Sequence, residues 1–275
     1  MIQSTPTQHE FNKLLNQHQY RMQDSENYDL KDRLTFIGVN LAALDLSDTD
    51  LKGVFFYRCV FSNDLSGADF SDSVLENCFF NDAIMSHCKF RNVILTDSSF
   101  RNCQMDNVDM QRVRGEGRIG FRECDLTGSV LSYGRWNRSR FDHCNLTDVK
   151  MHSSDMKKVI IEDCEVAGLC LCACDLEKTE LYNTNLLVIG TDGTRFSNII
   201  ITAKTLCIGD RCRTHEEWFA ETIEEVESYQ HDGYPNFLFK DWGRWAPALK
   251  LMCEQVRIGL FKPDTEVKEH ACVES

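Results

Sequence analysis

The stretch Leu65–Cys78, "LSGADFSDSVLENC", places a large apolar side chain at Leu65, Phe70 and Leu75, five residues apart each time. Two residues before the last two stand small ones, Ala68 and Ser73. A period of five matches neither the 3.6 of a helix nor the 2 of a flat strand. It suits a chain that turns a corner every five residues and points one large and one small side chain inward along each side.

The beat continues in both directions. Upstream it runs through Phe36, Leu41, Leu46, Leu51, Phe56 and Phe61, with one residue missing before Leu65. Downstream it runs from Phe80 to Met110, takes up one extra residue, and resumes from Phe121 through Trp136, Phe141, Met156 and Leu171 to Leu186. It fades through Phe196 and Ile201. Four sides make a coil of about twenty residues, and stacked coils pair their backbones as strands do. Eight or so coils at a spacing of about 4.8 Å predict a rod of roughly 40 Å.

These segments, with "CDLTGSVL" and "CDLEKTELYNTNLL", resemble the pentapeptide-repeat family, whose pattern is a small residue, Asp or Asn, Leu or Phe, then two variable residues. The resemblance covers about Leu34 to Thr202 and implies an all-β solenoid, a right-handed quadrilateral β-helix. The expected division is an N-terminal helical cap over residues 1–33, the β-helix over 34–202, and a C-terminal α-helical capping or dimerisation region over 203–275.

The chain has 275 residues and a formal net charge of −13. That balance disfavours wholesale nucleic-acid binding. The N-terminal segment has no apolar run of signal-peptide length, and no segment approaches a membrane span. Fourteen cysteines without an export signal predict a reducing cytoplasm and thiols rather than disulfides. Eight of them, Cys59, Cys78, Cys88, Cys103, Cys124, Cys144, Cys164 and Cys174, occupy the small inward site and are expected as buried filler. Cys170 and Cys172 flank inward Leu171, so they are expected to face outward as an oxidisable pair. With His152 and Asp192 they are a weak zinc candidate, because neighbouring positions on a flat wall rarely converge to a tetrahedron. "CIGDRC", Cys207–Cys212, with His215 has loosely metal-like spacing but no clear fourth ligand. No resident metal or cofactor is expected.

"GEGRIG", Gly115–Gly120, satisfies a dinucleotide-binding expression, yet the five-residue beat follows it where a helix is required. A bulge that absorbs the inserted residue is the better account. "HEEWF" from His215 has Phe219 where the second histidine of a zinc protease would stand. No catalytic constellation stands out, so the expectation is a protein that is not an enzyme.

Function is then expected on outward positions. Acids dominate from Phe36 to Met110, among them Asp48, Asp69, Asp72 and Asp82, whereas Arg112 to Lys158 is basic. Arg118, Arg138, Lys158 and Lys178 are twenty apart and form an expected ladder of positive charge, either neutralised by neighbouring glutamates and aspartates or used as an anionic contact. Asp69, Asp125 and Asp175 sit at the family's Asp/Asn position and are expected to stabilise corners.

At the ends, "TQHEFNKLLNQHQYRMQ", Thr7–Gln23, predicts a capping helix. "THEEWFAETIEEVESYQ" from Thr214 predicts a second helix, ended by Gly233 and Pro235. "DWGRWAPALKLMCEQVRIGL" predicts a third, with Pro247 near its first turn. Trp218, Phe219, Trp242 and Trp245 are expected to cap the last coil or to build a homodimer interface. This tail is similar to closing segments of phage and prophage pentapeptide proteins, and the last stretch, "FKPDTEVKEHACVES", is expected to be loose. Well-understood family members are dimeric quinolone-resistance proteins whose rod mimics duplex DNA and binds DNA gyrase or topoisomerase. The resemblance therefore implies a protein partner, either gyrase met by an acidic DNA-mimicking rod or another host or defence protein held through the mixed-charge face.

Overall fold

The computed structural model describes residues 1–23, 29, 32–189, 199–229 and 242–259. Each beat of the sequence is one wall of a coil. On the first wall Thr35–Ile37, Phe55–Tyr57, Val74–Glu76, Ile94–Thr96 and Arg114–Glu116 form a five-stranded parallel sheet. Parallel bridges through Arg135, Asp155 and Asp175 extend it. The second wall is a seven-stranded parallel sheet running from Val60–Phe61 to Glu180–Tyr182. Ladders of single bridges make the other two, one from Asp64 to Glu165 and one from Asp50 to Cys170. The result is a right-handed β-helix of about 7 turns.

Register shows how the irregularities are absorbed. Phe141 faces Phe121 and Ile161, twenty residues away on either side, while Phe56 faces Leu75 across the missing residue. Phe100 faces Phe121, one residue beyond a full coil. The extra residue is taken up around Gly115–Gly120, where a Cβ on Gly115 would stand 2.3 Å from the Arg135 carbonyl oxygen.

The interior is close-packed by like residues stacking on like. On the second wall Phe61, Phe80, Phe100, Phe121 and Phe141 stack in sequence with centroids 4.5 to 4.9 Å apart. All eight cysteines at the small site are buried. Six of the thiols donate to carbonyls of the coil below, as Cys103 does to Phe80 at 3.3 Å and Cys124 to Phe100 at 3.4 Å, while Cys144 and Cys164 donate to Asp142 and Glu162 of their own coil. A buried thiol is compact and still satisfies a backbone oxygen.

Corners fall two residues after each large side chain and require a left-handed backbone. Asp48, Asp72, Asp82, Arg138, Lys158 and Lys178 are among the residues with φ between 51° and 64° there. Asp and Asn tolerate this region better than most residues. Gly67 at one such corner, with φ +72°, has no room for a side chain, because its Cβ would lie 2.1 Å from Asp48 Oδ1 one coil below.

Helix α1, Gln8–Gln23, closes the first coil. Phe11 stacks on Phe36 at 5.4 Å, and Gln8 brackets Asp45 with two hydrogen bonds to its backbone. His18 Nδ1 accepts from Leu34 N, so its Nε2 is the donor to the Lys52 carbonyl at 3.1 Å. These contacts occupy backbone groups that an uncovered coil would leave open to another chain.

The far end closes differently from the sequence expectation. Leu187–Ile189, Ile199–Ile201, Thr205–Ile208 and Arg211–Thr214 form a four-stranded antiparallel sheet that crosses the boundary drawn at residue 202. Ile201 belongs to this sheet; Phe196 lies outside the described residues. Alternate side chains serve two layers: Ile200 and Cys207 pack on the solenoid core, while Ile199, Ile201, Leu206 and Ile208 pack under helices. The single helix expected from Thr214 is two, α2 (His215–Ala220) and α3 (Ile223–Glu227), because Thr222 opens a second capping box with Glu225 beside the Thr214–Glu217 one. Helix α4 spans Trp242–Arg257, with Pro247 in its second turn. Gly233, Pro235 and the closing stretch after residue 259 lie outside the described residues. Among the described residues no helix is long and apolar enough to cross a membrane.

Candidate interaction surface

The acidic residues singled out from sequence divide by role. Asp69 is mostly buried, accepts from Ser71 N at 3.0 Å and pairs with Lys52 at 3.2 Å, so it holds a turn. Asp125 does the same through Thr127 N at 3.0 Å. Asp72 accepts from Asn92 at 3.1 Å and Asp82 from Asn102 at 2.7 Å, each one coil on, so both are exposed corner residues tied to the next coil. Asp48 is an exposed corner residue under Gly67.

The positive ladder is present in register. Arg118, Arg138, Lys158 and Lys178 are all exposed and lie two residues before successive strands of the second wall. Three of them share the left-handed corner; at the bulge Gly117, with φ +78°, takes that conformation, and Arg118 N donates to Asp97 Oδ1 at 2.9 Å.

Around this ladder the fold gathers residues that the twenty-residue spacing did not reveal. Arg114 and Arg135 are bridge partners on the first wall, separated by the inserted residue. Arg112 and Tyr133 occupy successive corners on its other side, where Arg112 N donates to Ser132 O at 3.0 Å. Among the described residues, none of Arg112, Arg114, Arg118, Arg135, Arg138 and Lys158 makes an ion pair. Glu116 and Asp97 are acids exposed among them. Elsewhere on the rod several cations are matched, Arg91 with Asp109, Arg140 with Glu162, and Lys157 with Asp175 at 3.2 Å and Glu177 at 3.3 Å, while Arg58, Arg101, Lys150 and Lys178 stand singly outside the cluster without an ion pair among the described residues. Tyr133, 52% exposed, stands at the edge of the patch with its ring against His152 at 5.0 Å. Counting from Phe100 to Phe121 as one coil would have aligned Arg114 with Arg135 from sequence.

The tail aromatics are used within the chain. Trp218 is fully buried and its Nε1 donates to Leu206 O at 2.6 Å; Trp242 is buried beside it at 5.7 Å. Phe219 stacks on Trp242 at 6.1 Å and Trp245 packs against the same core. They line the space between helices and terminal sheet rather than the last coil directly.

Two cysteine expectations are corrected. Cys172 is buried and Cys170 half-buried, because the Thr205–Thr214 hairpin folds over that wall, with Ala173 N donating to Gly209 O at 3.0 Å. A hydrogen bond from Cys172 pulls the Cys170 thiol down to about 7. Cys207 and Cys212, expected as thiols, are cross-strand partners joined as a disulfide. His152 turns to Ser132 Oγ at 2.9 Å and leaves the cysteines, while Asp192 lies outside the described residues. A cleft of about 620 Å³ between α2 and α4 is lined by Lys204, His215, Glu216, Lys250, Cys253, Glu254 and Arg257.

The family profile described as Pentapeptide repeats matches 8 copies, at residues 64–102, 80–112 and 121–163. No curated protein matches the chain. Among solved structures, trypsin-treated QnrB1, a plasmid-mediated fluoroquinolone resistance protein, is 17% identical over 53% of this chain and 71% of its own, with a TM-score of 0.36. HetL, involved in heterocyst differentiation regulation in the cyanobacterium Nostoc sp. strain PCC 7120, is 13% identical over 55% of this chain and 86% of its own, with a TM-score of 0.33. Both identities are low. The repeat profile and the observed coil together show that this chain contains pentapeptide repeats folded as a β-helix.

Proposed function

We propose that the protein is a non-catalytic contact protein that holds a protein partner on the first wall of its rod, through the arginine patch centred on Arg114, Arg135 and Arg138. The observation that carries this is the clustering of Arg112, Arg114, Arg118, Arg135 and Arg138 on and beside one wall, none of them with an ion pair among the described residues. Like charges about 4.8 Å apart repel and persist at a cost that a bound acidic surface offsets. Arginine and tyrosine are the side chains that anchor protein interfaces, whereas lysine is depleted there. The partner is thus a protein with an acidic face, and the setting is the cytoplasm. Tandem affinity capture with wild type and with Arg135→Glu/Arg138→Glu tests it. Loss of the same partner from the variant, with thermal stability unchanged, supports the reading; equal recovery by both refutes it.

A second reading rests on the opening coils, where exposed Asp48, Asp72 and Asp82 stand at three different corners of an acid-rich stretch of the rod. There the rod would imitate a nucleic-acid backbone and occupy a DNA-binding saddle such as that of DNA gyrase. A supercoiling assay decides it. Inhibition or protection of gyrase that survives Arg138→Glu/Lys158→Glu favours mimicry, and full gyrase activity at large protein excess rules it out.

A further inference from the structure

The closing hairpin sets Cys207 opposite Cys212 and lies over the last coil, against Cys170 and Cys172. The Sγ atoms of Cys170 and Cys172 are 3.2 Å apart. Together the four sulfurs lie within 4.8 Å of one another, with Cys172 and Cys207 buried and the other two half-buried. Each segment alone offers two sulfur ligands, which is why neither reads as a site in the sequence. The fold supplies the second pair to the first.

Four sulfurs around one point are more than a small core gap needs. A zinc ion holds thiolates at about 2.3 Å, and a tetrahedron of that size puts the sulfurs about 3.8 Å apart. That figure lies inside the 4.8 Å limit on the four sulfurs, so an opening of the two close pairs, once the disulfide is cleaved, accommodates one ion. The spacing within the hairpin, four residues between cysteines, falls in the range of structural zinc sites. Iron–sulfur clusters interpose sulfide and iron between their cysteines, which spreads the thiolates wider than a single ion does.

We propose that Cys170, Cys172, Cys207 and Cys212, in the thiol form, bind one Zn²⁺ as a structural tetrathiolate that fastens the terminal sheet to the last coil. Reaching that form breaks the Cys207–Cys212 S–S bond: a thiol or phosphine reductant supplies two electrons, two protons are taken up, and two thiols result. Binding then releases four protons, and the site carries a charge of −2. Lys150, the bridge partner of Cys170 one coil below, stands next to that charge. The ion joins segments separated by more than thirty residues, so its binding energy adds to folding energy. This inference is independent of which wall binds a partner.

The test uses the full chain, stripped of metal under a phosphine reductant, titrated with Co²⁺ as the spectroscopic probe and then with Zn²⁺. The expected result is one Co²⁺ per chain, with the charge-transfer and visible bands of tetrahedral thiolate coordination, displaced by one Zn²⁺ that raises the melting temperature. Cys172→Ser and Cys212→Ser each weaken Co²⁺ binding at least tenfold, whereas Cys88→Ser, a buried thiol elsewhere, leaves it unchanged. Absence of thiolate bands in the reduced wild-type chain overturns the proposal without recourse to any variant. So does stoichiometric binding that survives Cys212→Ser, iron in place of zinc in freshly isolated protein, or a disulfide that persists under the reductant.

Discussion

Gly134 and Trp136 show how tightly single positions are coupled inside the coil. Trp136 is the largest side chain at any inward position and is fully buried, with its Nε1 donating to Leu131 O at 3.0 Å. The small site on the same side is glycine, and a Cβ there would stand 2.2 Å from Trp136 Nε1. Gly134→Ala should therefore destabilise the protein by about 1–3 kcal/mol in urea unfolding. Combined with Trp136→Phe, the cost should fall short of the sum of the two single changes, because the smaller ring vacates the contested space. His18 carries a second prediction. Burial pushes its imidazole below the ordinary value, and its neutral Nδ1 accepts from Leu34 N. The sign follows from the lowered value: this contribution is complete above the unfolded pKa of about 6.5 and is lost as pH falls from there through the folded one. Thermal melts from pH 7.5 to 5 should show a decline that His18→Gln reduces.

At the level of elements, the repeat walls were legible from sequence and the terminal sheet was not. Each wall is specified by five adjacent residues, so Phe70 or Leu146 announces its inward position through its own neighbours. The sheet from Leu187 to Thr214 is specified by long-range pairing, Ile200 with Val188 on one side and Cys207 on the other, and its central strand is buried on both faces. A fully buried strand reads as an apolar run with no alternation, which the five-residue beat absorbs as a fading repeat. The helix that breaks in two is legible in hindsight, since "TIEE" at Thr222 repeats the pattern of "THEE" at Thr214. Both caps are closed boxes with side-chain and backbone partners. Thr214→Ala and Thr222→Ala should each cost about 1 kcal/mol. Hydrogen exchange should place the loss in α2 for the first and α3 for the second, with the solenoid unaffected.

For the whole molecule, the sum of charge misleads and its distribution informs. A net charge of −13 describes the chain, yet the first wall gathers arginines from Arg112 to Arg138. The ladder from Arg118 to Lys178 was visible because its members are twenty apart. The rest of the patch was hidden, because the insertion at Gly115–Gly120 shifts Arg114 against Arg135 by one residue and register is fixed only when coils stack. The account rests on contact through that wall. Its most direct test is site-specific photo-crosslinking to the captured partner, with the photoreactive residue placed at Tyr133 beside the patch or at Asp125 on the opposite wall. Crosslinks from position 133 and none from position 125 are the predicted result; crosslinks from position 125 and none from position 133 would contradict it.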